Sequence, residues 1–247
     1  MRKKAQLTTF VIIAILIIAI VIAAYVFYTQ QQKSQKSQQE LNFDKQYIND
    51  CLNKKTKQAV LSIARHSGYF EMPNNSINFL DEKAVYYLKN NNTLVPNKTV
   101  VENQISLWLN NNIEDCFSVP RNIVLEKRYC NIKTRLSDIT SVDFDCKIEI
   151  KINEKTFEIN KFDSEVNVSL LPLISASREI VESYKETEPN YICIDCLDEI
   201  ASKYNINITV IPVTKDIYAI EHVWFLLNSS KKIDDKFLIW RFVTDLR

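Results

Sequence analysis

Hydrophobic and polar positions along the 247-residue chain fall into three regimes. From Phe10 to Tyr28 no charged or strongly polar side chain interrupts FVIIAILIIAIVIAAYVFY. An α-helix rises about 1.5 Å per residue, so Leu7 to Tyr28 meets the roughly 20-residue length of a membrane span. Residues 30–40 then carry only Gln, Lys, Ser and Glu. They predict a polar stalk, either flexible or a solvated continuation of the helix, because neither Gly nor Pro breaks them. Beyond residue 41 apolar positions recur with the periods of helices and strands, which predicts one folded domain over 41–247.

Within that domain Tyr47, Ile48, Cys51, Leu52, Ala59, Val60, Ile63 and Ala64 repeat at helical spacing, and Ser67-Gly68 supplies a stop. GYFEM and AVYYL read as short strands. Thr99 and Glu102 have capping-box spacing ahead of Val101, Ile105, Trp108, Leu109, Ile113, Cys116 and Phe117, which predicts a second helix. DFDCKIEIKI alternates, and with KTFEI and EVNVSLL it predicts a β-meander within Asn122 to Leu171. Pro172 opens a third helical pattern and YICIDCLDEIASKY a fourth; INITVIPV, IYAIEHVWFLL and FLIWRFV read as three final strands. The fold class expected is α+β: an N-terminal transmembrane helix, then one ectodomain of amphipathic helices on a largely antiparallel sheet.

Charge sets the orientation. Arg2, Lys3 and Lys4 crowd one end of the apolar run, while Lys33 and Lys36 are the first positive charges after it. The bias places residues 1–29 as a cytoplasmic foot and membrane span, with 41–247 extracytoplasmic and Tyr25, Phe27 and Tyr28 at the outer interface. A secretory leader has a shorter apolar core, about 7–15 residues, so a retained anchor is favoured over cleavage near Val21-Ile22-Ala23. Ala19 and Ala23 form a small-xxx-small pair, a spacing common in any apolar helix.

Composition removes most chemistry. Lys+Arg 31 against Asp+Glu 30 leaves a net charge of +1, with no field to draw nucleic acid. Gly68 is the sole glycine, so phosphate loops, dinucleotide fingerprints and the Gly-x-Ser-x-Gly elbow are excluded. His66 and His222 are the only histidines, which rules out a His-rich zinc site. His66 is expected to act as a cation at a helix C-terminus, and His222 to be a strand histidine. Glu114-Asp115 and Asp234-Asp235 read as solvated turn or helix residues rather than catalytic carboxylate pairs. No cofactor is expected.

All six cysteines follow the apolar run. An even number on the side read as extracytoplasmic suits disulfides, although six permit 15 pairings. The favoured set joins Cys51 to Cys116, because YINDCL and NIEDCF share a pattern that would bring two helices together by one face. Cys130 would pair with Cys146 across a hairpin turning near Leu136 to Ser141, and Cys193 with Cys196 locally. Cys193-Ile-Asp-Cys196 also admits a thiol–disulfide active site at a helix N-terminus. Against that stand Glu186, Glu188, Asp195, Asp198 and Glu199, and an apolar stripe through Leu197, Ile200 and Tyr204, so a structural role is favoured. A zinc site of Cys130, Cys146, Cys193 and Cys196 lacks a second Cys-x-x-Cys. Six Asn-x-Ser/Thr sequons, at Asn74, Asn91, Asn97, Asn167, Asn207 and Asn228, are candidate glycosylation sites of an external chain.

The start KKAQ resembles the archaeal class III signal, in which a prepilin-type peptidase cuts before Gln to mature type IV pilin-like subunits. The resemblance implies a scissile bond between Ala5 and Gln6. Phe10 stands where the mature fifth residue is usually Glu, which helps register subunits in such proteins. The Tyr47 to Leu52 element, Gly68-Tyr69-Phe70 and the helix ending Asn112 to Cys116 resemble a group of uncharacterised archaeal membrane-anchored surface proteins. That likeness covers about half of the chain and implies a surface-anchored architecture with no known activity. The function expected is therefore a single-pass, non-enzymatic surface protein with a structural or interaction role. Its expected partners are membrane lipid along residues 7–28 and envelope proteins or further copies of itself. A pilin-like filament subunit and a membrane-tethered thiol–disulfide oxidoreductase using Cys193 and Cys196 are the alternatives.

Overall fold

A computed structural model describes residues 2–79, 82–118, 124–152, 155–186, 191–214 and 220–245. Its first element, α1, is one uninterrupted helix of 64 residues, Arg2–Arg65. The polar segment 30–40 is therefore helical, the second of its two readings, since Gln, Lys, Ser and Glu solvate a helix as readily as a coil. Among the described residues no helix is long and apolar enough to cross a membrane. The side chains of residues 7–16 lie outside the described ones, as do those of Ala5 and Gln6, so the processing site is not described.

The far end of α1 belongs to the domain. Asp44, Ile48, Leu52, Thr56, Ala59, Val60, Ile63 and Ala64 are all fully buried, at the spacing of one helical face. Two sheets receive it, where a single one was expected. The first joins β1 (Ser76–Phe79), β2 (Glu82–Lys89), β9 (Lys236–Asp245), β8 (Ile220–Ile233) and β7 (Ile206–Thr214) in that order, with β3 (Asn92–Thr93) also on β2. Every pairing in it is antiparallel except β2 with β9, where Tyr86 lies beside Val243. The second is a meander, as expected, but of β4 (Val124–Leu136), β5 (Thr140–Ile152) and β6 (Lys155–Val166), so KTFEI and the start of EVNVSLL are one strand rather than two and β4 supplies the third. On β5 Val142, Phe144, Cys146 and Ile148 face the core, while Asp145 and Lys147 point out.

Further helices pack against these elements. α2 (Lys98–Asn112) packs on β4 and α1, burying Val101, Ile105 and Leu109. Its cap is Asn97, whose side chain accepts from the Val100 amide at 2.9 Å, not Thr99 as the capping-box spacing suggested. Glu102 is engaged elsewhere, accepting from the Leu136 amide at 2.8 Å. α3 (Leu171–Glu186) and α4 (Ile194–Tyr204) pack on each other and reach β2 and β7 respectively. Glu179 of α3 holds both Lys203, at 2.7 Å, and Tyr204, at 2.9 Å, at the end of α4. On the core face of the larger sheet Tyr87, Phe242 and Phe225 stack in sequence, and Tyr184 of α3 meets Phe225 edge-on.

GYFEM is not a strand. Ser67 and Gly68 both take positive φ, 59° and 83°, and turn the chain sharply out of α1. The Gln104 side chain then accepts from the Phe70 and Glu71 amides, at 2.7 and 3.3 Å, in place of a sheet neighbour. Gly68 leaves no room for a side chain, because a Cβ there would come within 2.9 Å of Trp240 and 3.1 Å of Val101. Gly68→Ala is expected to cost about 2–4 kcal/mol, combining the left-handed penalty with overpacking. Urea unfolding of the detergent-solubilised chain measures it, and an unchanged midpoint would refute the assignment.

Candidate functional site

Two features carry the functional reading, the unsheathed half of α1 and the cysteine framework beneath it. Ile17, Ile18, Ile20, Val21, Ile22, Tyr25, Val26, Phe27 and Tyr28 are each between 48% and 69% exposed. A soluble domain seldom presents so long a row of contiguous apolar side chains to water. The row runs around the helix rather than along one stripe, which suits a uniform apolar surrounding better than a single partner groove. Asp44 is the first buried side chain of α1 among the described residues, so the described apolar residues 17–28 stand clear of the domain.

The three disulfides pair as expected: Cys51 with Cys116, Cys130 with Cys146, and Cys193 with Cys196. The first links α1 to the 3₁₀ turn Glu114–Phe117 that follows α2. There Lys55 of α1 also meets Asp115 at 2.8 Å, and that hydrogen bond holds the Asp115 carboxyl below its ordinary value. The second joins directly opposed residues of β4 and β5. The third bridges the N-cap and first turn of α4, where Cys193 Sγ accepts from the Cys196 amide at 3.2 Å. Loop-closure entropy ranks them by sequence separations of 65, 16 and 3 residues. The corresponding stabilisations are about 4, 3 and 2 kcal/mol.

These pairings decide the metal question for the sulfurs. Cys51, Asp115 and Cys116 are the one group of metal-type donors brought together among the described residues, and both of its sulfurs are spent in a bridge. The four cysteines weighed as a zinc site are likewise two disulfides in separate elements. The carboxylate pairs are surface groups: Asp115 engages Lys55, and Asp234 meets Lys57 at 2.7 Å at the turn between β8 and β9. His222 lies edge-on to Tyr86, whose hydroxyl comes within 3.3 Å of its ring. The sequon residues Asn74, Asn91, Asn97, Asn167 and Asn207 are exposed and Asn228 is half-buried, so five present their amides to solvent.

His66 does not behave as the expected helix-end cation. Burial lowers its pKa from the ordinary 6.5, and Arg241 and Arg65 lower it further. It lines an open groove of about 590 Å³ with Leu61, Arg65, Lys236 and Phe237. Two buried residues frame this corner: Ser67, expected only as part of the helix stop, which donates to the Arg241 carbonyl, and Arg241, which sequence reasoning passed over. An arginine inside a strand pattern looks like a surface residue, so only its depth reveals it.

No protein-family model, curated protein or solved structure matches this chain.

Two outcomes follow from the framework. Replacing Cys51 and Cys116 together by Ala is expected to cost about 4 kcal/mol, and the same change at Cys193 and Cys196 about 2. Denaturant titration of the oxidised variants ranks them, and equal losses would refute the entropic ordering. A histidine whose native pKa is depressed contributes stability that is complete above 6.5 and is lost as acidification proceeds toward the native value. The melting temperature is therefore expected to fall below about pH 6.5, and His66→Gln to flatten that segment of the pH profile.

Proposed function

We propose that this chain is a single-pass membrane-anchored surface protein, with its N-terminus cytoplasmic and its disulfide-bonded α+β domain outside the membrane. The exposed apolar row from Ile17 to Tyr28 carries the reading. It continues in the sequence to Leu7, long enough to span the hydrocarbon, and it stands apart from the folded domain. Water penalises such a surface by about 25 cal/mol per Å² of apolar area, and lipid removes that penalty. All six cysteines lie on the domain side of the row and every one is paired, the state an oxidising exterior maintains. The role proposed is structural or one of interaction: one glycine and two histidines leave no phosphate loop, dinucleotide fingerprint, Gly-x-Ser-x-Gly elbow or His-rich zinc site, and the partners are lipid, envelope proteins or further copies.

A second reading has its own support. The rigid continuity of α1 from Arg2 to Arg65 would let apolar halves from several copies bundle while their domains stay outside. A pilin-like subunit cut between Ala5 and Gln6 needs that rod.

Ile17→Arg with Ile18→Arg is expected to move the chain from the carbonate-resistant membrane fraction to the soluble one, since each arginine costs about 2.5–3.5 kcal/mol at mid-bilayer. Retention of the double variant in the membrane fraction would overturn the anchor. N-terminal sequencing of the native protein separates the two readings: Met1 or Arg2 first supports the permanent anchor, and Gln6 first supports the processed subunit.

A further inference from the structure

We propose that Cys193 and Cys196 form a redox-active disulfide that oxidises an exposed dithiol of a partner protein. Sequence reasoning favoured a structural pair in the core, and the structure places it differently. Cys116 and Cys146 are fully buried, so each of the other two bridges hides one sulfur-bearing residue completely. Both Cys193 and Cys196 are half-buried at the protein surface. Cys51 and Cys130 are half-buried too, but they pack against the core beside a fully buried partner, whereas a thiolate can approach either residue of the Cys193–Cys196 bridge from the surface. Tyr191 and Ile194, 55% and 57% exposed, flank it with an apolar rim on which a partner backbone can rest.

A disulfide that cycles must leave a folded protein behind when reduced. α4 meets this condition, because Leu197 and Ile200 anchor its apolar face and Glu179 ties its far end through Lys203 and Tyr204. The bridge also closes the shortest loop of the three, so the fold depends on it least.

The geometry points to an order of events. A partner thiolate attacks Cys196 Sγ; the S–S bond breaks and its electron pair leaves on Cys193 Sγ. That sulfur already accepts the Cys196 amide hydrogen at 3.2 Å at the N-terminus of α4, where an anion is stabilised. The partner's second thiolate then attacks its own sulfur in the mixed disulfide and expels Cys196. The two protons lost by the partner thiols end on Cys193 and Cys196, the partner leaves as a disulfide, and this chain is the dithiol product. Exposed Asp195, Asp198 and Glu199 oppose the charge on Cys193. They are exposed and act across high-dielectric water, which weakens their effect, whereas the amide contact is direct.

The test uses the full chain in detergent, equilibrated in graded glutathione redox buffers and read by differential alkylation and peptide mass spectrometry. Cys193–Cys196 is expected to become half-reduced under conditions at least about 100-fold less reducing than Cys51–Cys116 requires, with near-ultraviolet circular dichroism unchanged. In the reduced chain, alkylation of Cys193 is expected to titrate below the ordinary thiol value of about 8.5, and that of Cys196 not to. Reduction of all three bridges together, loss of the tertiary signal on reducing this pair, or a Cys193 titration at or above the ordinary value would each overturn the proposal. None of these outcomes depends on which side of a membrane the domain occupies.

Discussion

Buried Ser67 takes the strain of ending α1 inside the protein. A helix leaves its last carbonyls without intrahelical partners, and here those of Ile63 and Ala64 belong to buried residues. The Gly68 amide returns to the Ile63 carbonyl at 2.8 Å and the Ser67 amide to Ala64 at 3.2 Å, which closes the helix in two left-handed steps. The Ser67 side chain donates to the Arg241 carbonyl of β9 and accepts from the Val85 amide of β2, while its own carbonyl accepts from Tyr87 at 2.7 Å. One residue thus ties the end of α1 to both strands of the parallel β2–β9 pairing in the larger sheet.

The rest of the domain is arranged around that knot. Higher on α1, Cys51 and Lys55 attach the helix to the turn after α2, through a covalent bond and an ion pair on adjacent turns. The buried face of α1 from Asp44 to Ala64 contacts both sheets, with residues 42–49 beside β6, so the helix acts as the spine on which they close. Burial of Tyr87 at the knot raises its hydroxyl well above its ordinary pKa, which keeps it a donor to Ser67 at any physiological pH.

Much of this was readable from residue order where one period and one partner decide the outcome. The alternation through Phe144, Cys146 and Ile148 defined β5, and the helical stripe through Val101, Ile105 and Leu109 defined α2. The cysteine pairing was legible because hairpin, local and repeated-helix arguments each singled out one partner. Other features depend on distance or on competition between equals. Asn97 and Thr99 are both good caps, and the helix starts at Lys98, which makes Asn97 the cap and leaves Thr99 inside the first turn. GYFEM has strand composition, but its Gly68 and Tyr69 amides turn back to the Ile63 and His66 carbonyls, and Gln104 satisfies those of Phe70 and Glu71 from a helix. The parallel contact of β2 with β9 joins segments from opposite ends of the domain, which no local pattern encodes. Residues 30–40 were ambiguous for the opposite reason, since solvated polar residues leave no periodic trace.

The unbroken helix between Tyr28 and Asp44 has a further physical meaning. At about 1.5 Å per residue it holds the domain roughly 24 Å from the end of the apolar row. For the anchored protein proposed above, that stand-off is more than twice the Debye length of about 8–10 Å at physiological salt. Headgroup charge would be largely extinguished at that height, so a domain with almost equal numbers of acids and bases would sample its surroundings free of the lipid's electrostatic bias.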